Sequence, residues 1–404
     1  MNKAQEIVFI AKVPALGYTT YNFLPGDSSW MVQENRISFT QGLNLGLGNF
    51  VVDIDPQGFI QEIRSNSTHE SLIPKGLNPS QETLGGILWW ADDFYGDSYE
   101  YGPAQRVQSL VNLRQGVTAL QGPVMTRVIV ESEVGDDSTA VRETRLIPEK
   151  ERIEFATTVT WWDANKNLYV RFPFAQLTDA RITEGVPYGF KERGNGHYPV
   201  LGWAHYGNDS VGVSILNRGL FGHNFSLDSS APRGTPVPQY LDITLLRSLN
   251  RAVFGDYPST AMKEHGTHRF EYALVPHHAS WRQQKTPRLG SEFNTPLLAY
   301  SATAHRGSLP AERSYLSLNS ESDAIVSVLQ RQGKDLVLRF YETTGYASKH
   351  TVTFPQFSAS TIDETNLLGD ILGVRGSGTS VTVDTKPEEI VTLRLGNVAS
   401  GNGQ

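Results

Sequence analysis

The sequence contains no cysteine. That excludes disulfides, thiolate zinc sites and cysteine nucleophiles. It fits a reducing compartment, and the chain is expected to be cytoplasmic. Runs of about 18 apolar residues are also missing, so no membrane span is expected. Acidic residues outnumber basic ones, 42 to 35, for a net charge of −7. A phosphate-binding partner needs a basic face, so this balance argues against nucleic acid. The start, "MNKAQEIVFIAKVPALGYTTYNF", shows no signal-type apolar core and no small-residue cleavage site. The Asn-X-Ser/Thr triplets at Asn66, Asn208 and Asn224 are accordingly read as chance. There is no Gly-x-Ser-x-Gly elbow, no phosphate loop and no dinucleotide fingerprint. Long helical periodicity is nearly absent, and only "NPSQETLGGILWW" allows a helical turn.

What remains is β-structure almost everywhere. The chain has 404 residues, more than one compact core usually holds, so two or three domains are expected. "NFVVDIDPQGFIQEIRS" reads as a hairpin turning at Asp55-Pro56-Gln57-Gly58. "VMTRVIVESEVGDDSTAVRETRLIP" reads as a second, turning at Gly135-Asp136-Asp137. "RIEFATTVTWWDANKNLYVRFPF" reads as a third, turning near Asn165. Further short runs rich in Val, Ile, Thr and aromatics continue to "EIVTLRLG". Many short strands at this spacing mean antiparallel sandwiches or barrels. The polar stretch "SWRQQKTPRLGSEFNTPL" lacks alternation and marks a joint, as does "PGDSSWMVQEN". The expected division is 1–35, 36–285 and 286–404.

Three stretches could carry chemistry. "WWADDFYGDSYEYG", residues 89–102, packs six aromatics among four acidic residues from Asp92 to Glu100 and no base. Aromatics anchor β cores, yet four carboxylates cannot be buried unpaired without large cost. The stretch is therefore expected to be at least partly a surface loop. Aromatic faces beside carboxylates also suit sugars. In "KERGNGHYPVLGWAHY", Arg193, His197 and Trp203 gather near a glycine turn. Arg193 either pairs with a surface acid or binds a sugar or a cross-domain carboxylate, and Trp203 is either core or contact. Asn217 and Arg218 close the strand "VGVSILN", as turn chemistry or as a polar rim. His277 and His278 are adjacent, so on a strand they point to opposite faces and do not share a metal easily. His265 and His268 read as loop histidines.

The order of local phrases says more. "KVPALGYTTYNF", "WADDFYG", "VPYGFKERGNGHYPVLGWAHY", "VGVSILNRGLFGHN", "LDITLLRS", "GTHRFEYALVPH", "LVLRFYETTG" and "PEEIVTLRLG" occur in series from about Val13 to Leu395. This series resembles the C-terminal half of family 38 glycoside hydrolases, the retaining α-mannosidases. The resemblance implies the end of a small sandwich, then a large sandwich of galactose-mutarotase type, then a terminal sandwich. It also implies that the chemistry lies elsewhere. In the family, a zinc held by two His and two Asp, and an Asp nucleophile, sit in an α/β barrel ahead of this region. No catalytic or metal-binding residue is carried over, and zinc is expected only in the catalytic domain. The resemblance turns the 89–102 stretch toward the barrel and makes Trp90, Asp92, Asp93 and Tyr95 candidates for the active-site rim.

The expected function is the non-catalytic β half of an α-mannosidase, working beside a barrel on another chain or removed from it. A stand-alone protein binding mannose-containing glycans is the alternative. An independent enzyme of mutarotase or lyase type is a third reading. Self-association stays open. Residues 6–24 are expected to form an exposed edge, or to pair with a neighbouring chain or the terminal sandwich.

Overall fold

The computed structural model describes residues 7–22, 34–73, 86–92, 107–109, 113, 116–226, 239–249, 260–303, 307–319 and 323–400. Strands dominate them, and Thr286–Asn294 is the one α-helix among them. Two compact units emerge. The larger holds Met31–Gly185 and Lys191–Thr295; the smaller holds Met1–Trp30, Val186–Phe190 and Pro296–Gln404.

The larger unit has a ten-stranded and a six-stranded antiparallel sheet, with a four-stranded meander at Leu43–Ile73. Alternation sets the buried faces: Thr126–Val134 buries Thr126, Val128, Val130, Ser132 and Val134 and leaves the residues between them less covered. Phe155 and Tyr272 of the ten-stranded sheet meet Phe172 of the six-stranded sheet at ring separations of 5.3 and 6.0 Å. Each such fully buried side chain contributes about 1.5–3 kcal/mol. The first two hairpins form where their turn residues lie. Asp55 Oδ1 accepts the N–H groups of Gln57 and Phe59 at 3.0 and 2.9 Å. Gly58 between them has φ +84°, and a Cβ there would lie 2.4 Å from a Val130 methyl.

The third expected hairpin does not exist. Arg152–Trp161 pairs with Ser138–Ile147 and Gly266–His277 in the ten-stranded sheet. Lys166–Phe174 pairs with Ile87–Asp92 and Gln239–Ser248 in the six-stranded one. The chain crosses between sheets at residues 162–165. The physical reason is burial: every residue of Lys166–Phe174 is buried, which is the mark of a central strand rather than a hairpin arm. The expected break after residue 285 also moves. Thr286–Asn294 forms the helix, which packs on the Trp203–Gly207 and Gly212–Asn217 strands. The units divide at Thr295/Pro296.

The smaller unit is a sandwich around Leu316, Leu338, Phe340, Val352, Phe354, Ile362, Leu393 and Leu395. Of the expected N-terminal strands, Gly17–Thr19 forms and pairs with Glu312–Ser314. Residues 1–35 therefore do not stand as a separate domain; up to Trp30 they group with the terminal sandwich. A Cβ at Gly17 would sit 2.0 Å from the Arg313 carbonyl oxygen, so this pairing requires glycine.

Candidate functional site

The six-stranded sheet has one apolar and one polar face. Leu168, Val170 and Phe172 are fully buried in the sandwich core. Side chains alternate along a strand, so Tyr169 and Arg171 stand on the opposite face. Register carries that face across the sheet: Arg171 lies opposite Asp242, Asp242 opposite Asn224, and Asn224 opposite His197. Four neighbouring strands thus present one row of His, Asn, Asp and Arg.

Arg171 anchors the row. Its Nε and Nη2 donate to the two carboxylate oxygens of Asp242 at 2.7 and 2.8 Å. Its guanidinium lies 3.9 Å from the Tyr240 ring centre and 5.5 Å from that of Tyr169. The Asn224 side chain also bonds Asp242. Burial works against the Arg171 cation, but the bonds and charge of Asp242 outweigh it and hold the guanidinium protonated. His197, at the outer end of the row, is exposed. Arg171, Asp242 and Tyr169 are themselves buried, so of this row His197 at its outer end is the exposed member. Sequence reading found only His197 of this group. The signal was present in "QYLDITLL", where Tyr240, Asp242 and Thr244 fall two apart on a strand.

A second polar group lies at Glu184. This carboxylate is fully buried on the same side of its strand as the core residue Ile182. Arg193 Nε approaches it to 3.2 Å, and the same guanidinium lies 4.4 Å from the Tyr198 ring centre. Burial pushes the Glu184 pKa up to about 7, with the Arg193 charge pulling against it.

The other sequence candidates scatter. Arg193 meets a buried acid, not a surface one. Trp203 is 6% exposed and packs on Trp281 at 5.3 Å, so it offers a sugar no surface. Asn217 is 1% exposed; its amide contacts His223 Nε2 at 3.1 Å and its carbonyl accepts from Asn294 at 2.7 Å. Trp203 opens the strand Trp203–Gly207 and Asn217 closes its neighbour Gly212–Asn217, both wholly buried strands. Arg218 is half-buried, donates to the Phe293 carbonyl at 3.0 Å and pairs with Glu271, so it ties the helix to the sheet. Position 90 lies opposite Leu168 and position 92 opposite Lys166, so the start of the 89–102 stretch is strand rather than loop. Only the backbone is described there. Asp93 and Tyr95 lie outside the described residues. His277 contacts Ser214 at 3.0 Å, whereas His278 contacts Ser65 at 3.0 Å and stacks on Phe50. Among the described residues, no group of three or more His, Asp or Glu is placed to hold a metal ion.

Comparison with known proteins gives this geometry a lineage. Residues 45–252 match the model of the glycosyl hydrolases family 38 C-terminal domain. Residues 324–393 match that of the family 38 C-terminal beta sandwich domain. Human alpha-mannosidase 2C1 is 26% identical over 83% of this chain and 32% of its own length. Alpha-mannosidase G of Dictyostelium discoideum is 23% identical over 74% of this chain and 28% of its own. This chain therefore spans about a third of the length of the curated relatives it matches. Among solved structures, a family 38 glycosyl hydrolase from Enterococcus faecalis superposes with a TM-score of 0.70. That match covers 87% of this chain and 44% of the other at 18% identity. A second structure, an alpha-mannosidase from Enterococcus faecalis V583, gives 0.68 at 17% identity, covering 87% of this chain and 42% of the other. The chain belongs to glycosyl hydrolase family 38, whose C-terminal β-sandwich domains it carries.

Proposed function

We propose that this chain is the β-sandwich half of an α-mannosidase and does not cleave glycosides by itself. It supports and lines the sugar-cleaving site of a barrel domain, carried on another chain or on a further part of the same protein. The observation that carries this reading is the extent of the family match. The match to human alpha-mannosidase 2C1 takes in 83% of this chain but only 32% of the relative. At the exposed end of the polar row, His197 adds a side chain of the right chemistry. The zinc and the carboxylate nucleophile implied by the family belong, in this reading, to the barrel. Trp90, Asp92, Asp93, Tyr95 and His197 remain the proposed rim residues, whereas Trp203 and Asn217 are buried. The substrate of the assembled enzyme is an α-mannose-containing glycan, and the proposed compartment is the cytoplasm.

Association tests it. Isolation of the chain from its native source, followed by mass spectrometry, is expected to recover a barrel-bearing family 38 polypeptide in stoichiometric amount or as one continuous protein. Recovery of the 404-residue chain alone, with tight binding of free mannosides, would favour the stand-alone lectin instead.

A further inference from the structure

Trp162 is one of several exposed large apolar residues of the larger unit, beside Phe221 and Leu201. It follows Trp161, which is fully buried, and it leaves 55% of its own surface exposed. Exposed indole gains nothing from burial, and a tryptophan on a loose loop would fold back onto apolar surface. At Trp162 it is the backbone that is held. Its backbone N–H donates to Ser138 Oγ at 2.8 Å. The next residue, Asp163, is buried, and its carboxylate accepts the N–H groups of Asp136 at 2.9 Å and Asp137 at 3.3 Å and the Ser138 hydroxyl at 2.5 Å. The ring is also flanked by His265, with centres 5.4 Å apart at 58°. The acidic turn and the backbone at Trp162 are thus tied to one another through Ser138 and Asp163. Lys166 bonds Asp136 at 2.9 Å and so supports the same turn. Asp136, Asp137 and His265 are themselves exposed.

The geometry points to a carbohydrate-binding site at this end of the larger unit, in which the Trp162 indole stacks on a hexopyranose ring. The chemistry is complementary. A pyranose has C–H-lined flanks that pack on a π face, and hydroxyls that donate to carboxylates. Asp136 and Asp137, exposed on the turn that is bonded to the Trp162 backbone, are the acceptors in this reading, and His265 flanks the indole. An aromatic side chain has only two torsions to lose when a ligand lands, so most of its contact energy is kept for binding. A single exposed apolar side chain is ordinary on protein surfaces. What sets Trp162 apart is the turn bonded to its backbone, which carries two exposed carboxylates. This group is separate from the row at Arg171 and from the Glu184 pair, and it uses none of their residues. The choice of a mannose unit as occupant rests on the function proposed above; the stacking does not.

The test uses the whole chain and no catalytic partner, so its outcome is independent of whether the assembled enzyme turns over. Methyl α-D-mannopyranoside and an α-linked mannobiose are titrated while the indole N–H resonances are followed, that of Trp162 being assigned from Trp162→Phe. The expected result is a saturable shift of the Trp162 resonance, with weak affinity, about millimolar. Trp162→Ala is expected to weaken binding about tenfold, from loss of the aromatic contact. Trp162→Phe keeps a π face and should stay close to the wild type, and Asp137→Asn should fall between. Because Trp162 is largely exposed, the thermal midpoint of Trp162→Ala should move by no more than about 2 °C. No saturable shift with either mannoside, or unchanged affinity in folded Trp162→Ala, overturns the site.

Discussion

Arg171 and Asp242 face each other across neighbouring antiparallel strands and share two parallel hydrogen bonds, 2.7 and 2.8 Å long. Both are almost fully buried, and Tyr240 lies over the guanidinium. A buried ion pair balances desolvation against attraction, so removing one partner leaves an uncompensated charge. Arg171→Met or Asp242→Asn should therefore destabilise the larger unit by about 3–5 kcal/mol. The double variant Arg171→Met with Asp242→Leu should recover much of that loss. Urea unfolding of the three variants checks this, and additive losses in the double variant would mean the pair is not coupled.

Glu184 makes a prediction of the opposite kind, because burial raises its pKa to about 7 from 4.5. Between those values the folded protein holds a proton that the unfolded chain has released. Stability is therefore lost as pH rises through this window and stays lost above it. Glu184→Gln cannot ionise, so it should gain stability relative to wild type on going from pH 5 to pH 8, by roughly 1–3 kcal/mol. A pH-independent difference between the two proteins would show that Glu184 stays charged beside Arg193.

His205 and His277 act in the acid range. Their rings stack at 5.2 Å, and His277 is held by Ser214, whose hydroxyl also meets that of Thr286 at 2.6 Å. Burial lowers His277 to about 4 and His205 well below its ordinary value, with the His277 charge adding to the effect on His205. Both are neutral when folded, while the unfolded chain takes up protons below about pH 6.5. Their contribution is thus complete above that value and is lost as pH falls. Neither His205 ring nitrogen has a hydrogen-bond partner among the described residues. His205→Phe should accordingly remove one titrating group and reduce the slope of stability against pH between about 6.5 and 4.5 by about 1.4 kcal/mol per unit. An unchanged slope would show that His205 is not buried as a neutral ring.

The sheets were legible in the sequence because their strands alternate and their turns carry Gly, Asn and Asp. The turns at Asp55 and Gly135 illustrate this. The crossing at residues 162–165 was not legible, since a four-residue turn between two apolar runs looks the same whether the second run returns to its own sheet or joins another. The helix Thr286–Asn294 hid in a polar stretch because its hold on the protein comes from tertiary contacts, such as Arg218 on the Phe293 carbonyl. The family was legible in the order of short phrases. The polar row was not, because it joins residues from 171 to 242 that meet only through strand register. Trp203 and Asn217 misled because polar and amphipathic residues near a glycine turn look alike whether buried or exposed.

The proposed function is that of the β half of an α-mannosidase that does not itself carry the bond-breaking chemistry. It is tested most directly by the turnover of 4-nitrophenyl α-D-mannopyranoside by the purified 404-residue chain with added zinc. No hydrolysis above the blank is predicted. Steady turnover by a homogeneous preparation, abolished by a chelator and restored by zinc, would contradict the account.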